Sequence, residues 1–70
     1  MVEKIIDLIG VSSNSIEDAV QIAVARAGVT ISGIHQVHVK DISAVVENNK
    51  VAHWRVAIQA SFVVKDQLHE

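Results

Sequence analysis

Few side chains in this sequence belong to the types that do chemistry, and their spacing limits what they can do. There are four histidines (His35, His38, His53, His69), one tryptophan (Trp54), and serines clustered at Ser12, Ser13 and Ser15. A nucleophile needs a base beside it. No pattern here supplies one: the glycines are Gly10, Gly28 and Gly33, and they form no nucleophile elbow, phosphate loop or G-x-G-x-x-G turn. The serines fit a loop and a helix cap better than a catalytic role. Arg55 is the residue of most functional interest. Its guanidinium is a fixed fork of donors suited to carboxylate, phosphate or carbonyl oxygens, and it lies between apolar neighbours. The chemistry to expect is therefore binding, not catalysis.

The elements that must position these residues follow from periodicity. Met1 to Ile9 is rich in β-branched residues and ends at Gly10, which predicts a strand. Ser12 to Ser15 is a polar loop. Ser15 with Asp18 makes an S-x-x-[DE] capping pattern, so a helix is expected from Ile16, with Glu17 and Asp18 at the positive end of its dipole. Ile16, Val20, Ala23 and Ala27 share one helical face, and Gly28 and Gly33 mark the end and the following turn. From Ile34 the period becomes two. Val37 and Val39 point one way, while Gln36, His38 and Lys40 point the other. In Val51 to Lys65, Trp54, Val56, Ile58, Ala60, Phe62 and Val64 line one face, with His53, Arg55, Gln59 and Ser61 on the opposite one.

Between these strands Glu47-Asn48-Asn49-Lys50 reads as a tight turn, since asparagine tolerates left-handed angles. Pairing Val46 with Val51 sets Asp41 against Val56, Ile42 against Arg55, Ala44 against His53 and Gln36 against Ser61, unless a bulge shifts the register by one. His38 and His53 then stand roughly 20 Å apart along the sheet. They cannot chelate one ion within a chain, and only ligation across subunits stays open to them. Trp54 belongs to the apolar face, where packing is its expected role. The fold class is α+β: a β-α-β-β unit with an antiparallel sheet packed on one helix, forming a single domain over residues 1–70.

Composition adds a partner. A chain of 70 residues buries only about 60% of the surface its unfolded form exposes. Without cysteine it has neither disulfides nor the usual structural zinc set. Half its residues are hydrophobic, more than one thin core can hold, so the surplus predicts a homo-oligomer. A net charge of −2 and the lack of a basic run argue against nucleic acid as a partner. No apolar stretch is long enough to span a membrane. The first ten residues carry Glu3, Lys4 and Asp7 instead of the apolar core of a signal peptide, so a cytoplasmic protein is expected.

Three segments carry a family resemblance. Ile5-Ile6-Asp7-Leu8-Ile9-Gly10 leads through Ser12-Ser13-Asn14-Ser15 into Ile16-Glu17-Asp18-Ala19. This resembles the opening of a dodecin, in which an I-[ED]-[LI]-[VI]-G strand end runs through T/S-S-x-x-S into a helix. Val37-His38-Val39-Lys40-Asp41 is similar to the family's second strand, and Trp54 to Phe62 to its third. The resemblance implies the same β-α-β-β fold, assembled as a hollow homododecamer. It also implies storage of small ligands, flavins (riboflavin or FMN) above all, at two-fold interfaces between subunits. By resemblance that site is lined by His35, Gln36, Val37, Asp41 and Arg55.

Two positions depart from the flavin-binding pattern. The family's flavin-stacking tryptophan is Gln36 here, and the glutamine that pairs with the flavin pyrimidine edge is Arg55. Gln36 has no aromatic face, which forfeits about 1–3 kcal/mol per stack, taking the value for bases on aromatics. Arg55 has no acceptor for the flavin N3–H, though it can donate to the flavin carbonyls or to an anionic ligand. The expectation is a small-ligand shell whose flavin affinity is weakened or lost. The alternatives are a flavin-storing dodecin, or an ion-binding one of the calcium type. For the latter, Asp41 and Glu47 are the only hairpin carboxylates, and the sequence defines no metal site.

Overall fold

A computed structural model describes residues 1–65 of the chain. Its elements are strand β1 (Val2–Ser12), helix α1 (Ile16–Ala27), strand β2 (Ile34–Glu47) and strand β3 (Lys50–Val64). They form one antiparallel sheet in the order β1-β3-β2, so the longest strand is central and the other two are edges. This is the expected β-α-β-β arrangement. Helix α1 links the two edge strands and packs over β1 and β3.

Local chemistry accounts for each boundary. Ser15 is the N-cap of α1, and its hydroxyl accepts from the Asp18 amide at 2.9 Å. The Asp18 carboxylate does not close a reciprocal box; it accepts from the Ser12 hydroxyl at 2.6 Å. That bond ties the helix start to the end of β1, where Ser12 is buried. Ser15→Ala is expected to cost about 1 kcal/mol, the usual worth of an N-cap, read as a lower urea midpoint with an unchanged slope. At the other end, Gly28 stays right-handed, and the chain reverses at Gly33 with φ near 83°. Asn48 and Asn49 both take left-handed angles, 54° and 64°, in the two-residue turn between Glu47 and Lys50. Those angles suit the twist of a tight hairpin.

The core lies where α1 crosses the sheet. Val56, Ile58 and Ala60 of β3 are buried beneath Ala19 and Ala23, with Leu8, Ile16, Val20, Val24 and Val37 packed around them. Ala19 and Ala23 are the deepest helical residues: Ala23 belongs to the expected stripe of Ile16, Val20, Ala23 and Ala27, and Ala19 lies one position round from Val20. Gly10 explains the offset. A Cβ there would run into the carbonyl oxygen of Ala19 and come within 3.2 Å of the Ala23 Cβ, so the helix backbone rests directly on β1. The β2–β3 hairpin extends past the helix. Val39 and Ile42, on its helix-side face, are 43% and 47% exposed.

The register differs from an uninterrupted pairing. Val46 meets Val51 and Gln36 meets Ser61 as expected, but in between Asp41 pairs with Ala57, Ile42 with Val56 and Val45 with His53. Bulges cause this: Lys40 is the extra residue on β2 and Ala52 the extra one on β3, and a third bulge leaves His35 unpaired. Each inserts one residue and moves the following pairs by one. Among the described residues no helix is long and apolar enough to cross a membrane.

Candidate functional site on the open sheet face

The face of the sheet away from α1 carries most of the polar side chains. Residues paired across antiparallel strands point to the same side, so this face reads as rows. Asp7, Gln59 and His38 form one row, and the Gln59 amide donates to the Asp7 carboxylate at 3.2 Å. Ile5, Ser61 and Gln36 form the next. Toward the sheet end, the His35 Nε2 and Glu3 Oε1 atoms meet 3.1 Å apart across β3, joining the two edge strands. In the opposite direction come Ile9, Ala57 and Asp41, then Val11, Arg55 and Ser43, whose hydroxyl donates to the Arg55 carbonyl at 3.4 Å.

The five residues expected at a ligand site fall into three places. His35 and Gln36 sit together at one end of the open face. Asp41 and Arg55 are diagonal neighbours further along it, about 7–8 Å apart between Cα atoms. The bulge at Lys40 is what puts Asp41 on the side of Arg55; an unbroken register would have turned it toward the helix. Val37 pairs with Ala60 and packs against the core on the helix side. Arg55 is six residues of β3 away from Ser61, the partner of Gln36, which amounts to roughly 20 Å. One molecule of flavin size touching both Gln36 and Arg55 must therefore take them from different chains.

Trp54 pairs with Ala44 and Ser12 on the helix-side face, away from these groups, as alternation predicted. His38 and His53 lie on the open face, separated as expected, and His69 is outside the described residues. Among the described residues no three or more His, Asp or Glu side chains gather within one chain to hold an ion. Three residues of the open face were not assigned to the site from the sequence: Glu3, Asp7 and Lys40. The first two share the period-two face of β1 with Ile5, a face that mixes charged and apolar side chains. Lys40 borders a hollow of about 480 Å³ with Asp7, Leu8, Ile9, Ala57 and Ile58, and its bulge has no glycine or proline to announce it.

The dodecin family model matches residues 2–65, nearly the whole chain. The chain belongs to the dodecin family. Solved dodecins share its backbone closely. A dodecin from Streptomyces coelicolor is 26% identical, with 94% of each chain covered and a TM-score of 0.90. A protein from Thermus thermophilus is 29% identical over 94% of this chain and 97% of its own, also at a TM-score of 0.90. The calcium dodecin of Mycobacterium tuberculosis, described as a calcium-chelating antigen with a novel calcium-binding site, is 28% identical over all of both chains at a TM-score of 0.82. No curated protein matches the sequence.

Proposed function

We propose that this dodecin assembles as a hollow shell of twelve copies and holds a small ligand at its two-fold subunit interfaces, with flavin affinity weakened or lost. The observation that carries the reading is the placement of Gln36 and Arg55. Both lie on the open sheet face, yet they are too far apart in one chain to share a ligand. A ligand that touches both therefore takes them from two subunits, and the exposed apolar side chains support such an interface. Ile5, Ile9 and Val11 of β1 are 57%, 52% and 46% exposed on the same face, a stripe that water alone leaves uncompensated. His35, Gln36, Val37, Asp41 and Arg55 are the residues assigned to the interface. Of these, Arg55 and Gln36 bear on ligand choice, and Val37 supports the strand from the core side. Arg55 favours ligands that present carbonyl, carboxylate or phosphate oxygens.

No group in this assignment acts as a catalyst. Ser61 is the cross-strand partner of Gln36, and among the described residues no hydrogen bond sets its hydroxyl against a histidine or carboxylate base. Native mass spectrometry with and without riboflavin or FMN tests the reading. The expected result is a mass of twelve chains that gains little or no flavin at tens of micromolar. A particle that fills with flavin would restore the storage role and show that Arg55 replaces the glutamine contact.

A second reading, an ion-binding shell, has two points in its favour. The Lys40 bulge brings the Asp41 carboxylate onto the open face, and one relative is named a calcium dodecin. Calcium takes six to eight oxygen ligands, so Asp41 would need oxygens from neighbouring subunits. Calorimetric titration with calcium, giving heat that Asp41→Asn removes, would favour it.

A further inference from the structure

The Glu3–His35 contact is more than a strut between edge strands. We propose that it is half of an interfacial zinc-type site, completed by the same pair from a second copy of the chain. The inference rests on the two-fold interface proposed at Gln36, because His35 is the next residue and lies at the same end of the sheet.

Three observations support it. The first is spacing. Donors about 2.0–2.2 Å from a tetrahedral ion stand about 3.3 Å from each other. His35 Nε2 and Glu3 Oε1 are 3.1 Å apart, so the two donors already stand near that separation, and a turn of the imidazole would aim both at one ion. The second is access. The two side chains are 43% and 46% exposed, on a face with no helix over it. The third is the bulge. His35 is the residue left unpaired between Ile34 and Gln36, which frees its side chain from the ladder and re-aims it toward β1.

The donor set names the ion. Two imidazoles and two carboxylates suit zinc or a similar divalent transition metal, whereas calcium takes oxygen donors. One chain is insufficient: no third histidine, aspartate or glutamate joins the pair among the described residues. A two-fold operator supplies the missing pair, since each partner then offers the same two atoms. Zinc binds a deprotonated ring nitrogen and an ionised carboxylate, so zinc affinity falls as the solution is acidified.

Native mass spectrometry of the full chain with zinc as the only added metal tests this directly. The expected result is one zinc per two chains in the assembled particle. Glu3→Gln should weaken zinc binding at least tenfold while the apo particle keeps its mass, and His35→Ala should weaken zinc binding at least as much. Two outcomes overturn the site while leaving the interface reading intact: a particle of unchanged mass that takes no zinc, or zinc retained equally by His35→Ala, which would point to other histidines. A chain that neither assembles nor binds zinc overturns both.

Discussion

Gly10→Ala is expected to cost about 3 kcal/mol or more of folding stability, near the upper end of what overpacking a core produces. The reason is the direct seat of α1 on β1. The added methyl meets the Ala19 carbonyl and stands 3.2 Å from the Ala23 Cβ. Both alanines are buried, at 0% and 6% exposure. No flexible side chain stands there to yield, so the helix backbone must lift from the strand. Lifting it opens the contact with Val56 and Ile58, the largest fully buried side chains among the described residues. A domain this small has little stability to lose, and the variant should populate unfolded or unassembled chains. Urea unfolding reads the effect as a lowered midpoint. Gly28→Ala is the control. Gly28 is already right-handed, with φ near −65°, and its added Cβ would come no closer than 3.2 Å to the Val24 carbonyl, so its effect should stay within about 1 kcal/mol. If both variants unfold alike, the helix does not rest on Gly10 as described.

That close approach also marks where sequence reasoning loses information. Helix start, tight turn and strand alternation depend on neighbours in sequence, and Ser15, Asn48, Asn49 and the Trp54–Phe62 run revealed them without a structure. Which helical residues sit deepest depends on a partner in another element. A glycine after a strand of β-branched residues looks like a strand end, yet Gly10 is paired with Val56 inside β1 and selects Ala19 for burial. The bulges were equally invisible. His35, Lys40 and Ala52 are ordinary residues for a strand, and their extra positions arise from fitting two long, twisted strands to each other. The consequence for the candidate site is specific: continuous pairing separates Asp41 from Arg55 by a face of the sheet, and one bulge reunites them. The Glu3–His35 contact links residues 32 positions apart in sequence across an intervening strand, and no local pattern encodes it. Alternation fixes the face of Arg55 and Gln36, and the family resemblance supplies the role proposed for them.

Gln36→Trp combined with Arg55→Gln is expected to convert this dodecin into a flavin binder, with affinity raised at least tenfold over the parent. The indole supplies a stacking surface worth about 1–3 kcal/mol per contact, and each 1.4 kcal/mol is tenfold in affinity. The local geometry has room for it. Gln36 lies on edge strand β2 and is exposed, and its cross-strand partner is the small Ser61. Glutamine at position 55 then restores an acceptor for the flavin N3–H, which a guanidinium lacks, adding about 0.5–1.5 kcal/mol. Because the two positions lie about 20 Å apart in one chain, the gain should appear only in assembled particles, and quenching of FMN fluorescence should follow the oligomer on dilution. Trp54→Phe serves as the comparison. Trp54 faces the helix side beside Ser12 and Ala44, so removing its indole should leave flavin binding by the double variant unchanged. Quenching that depends on Trp54, or an assembled double variant that quenches no flavin, would remove Gln36 from the ligand interface and leave the open face to another role.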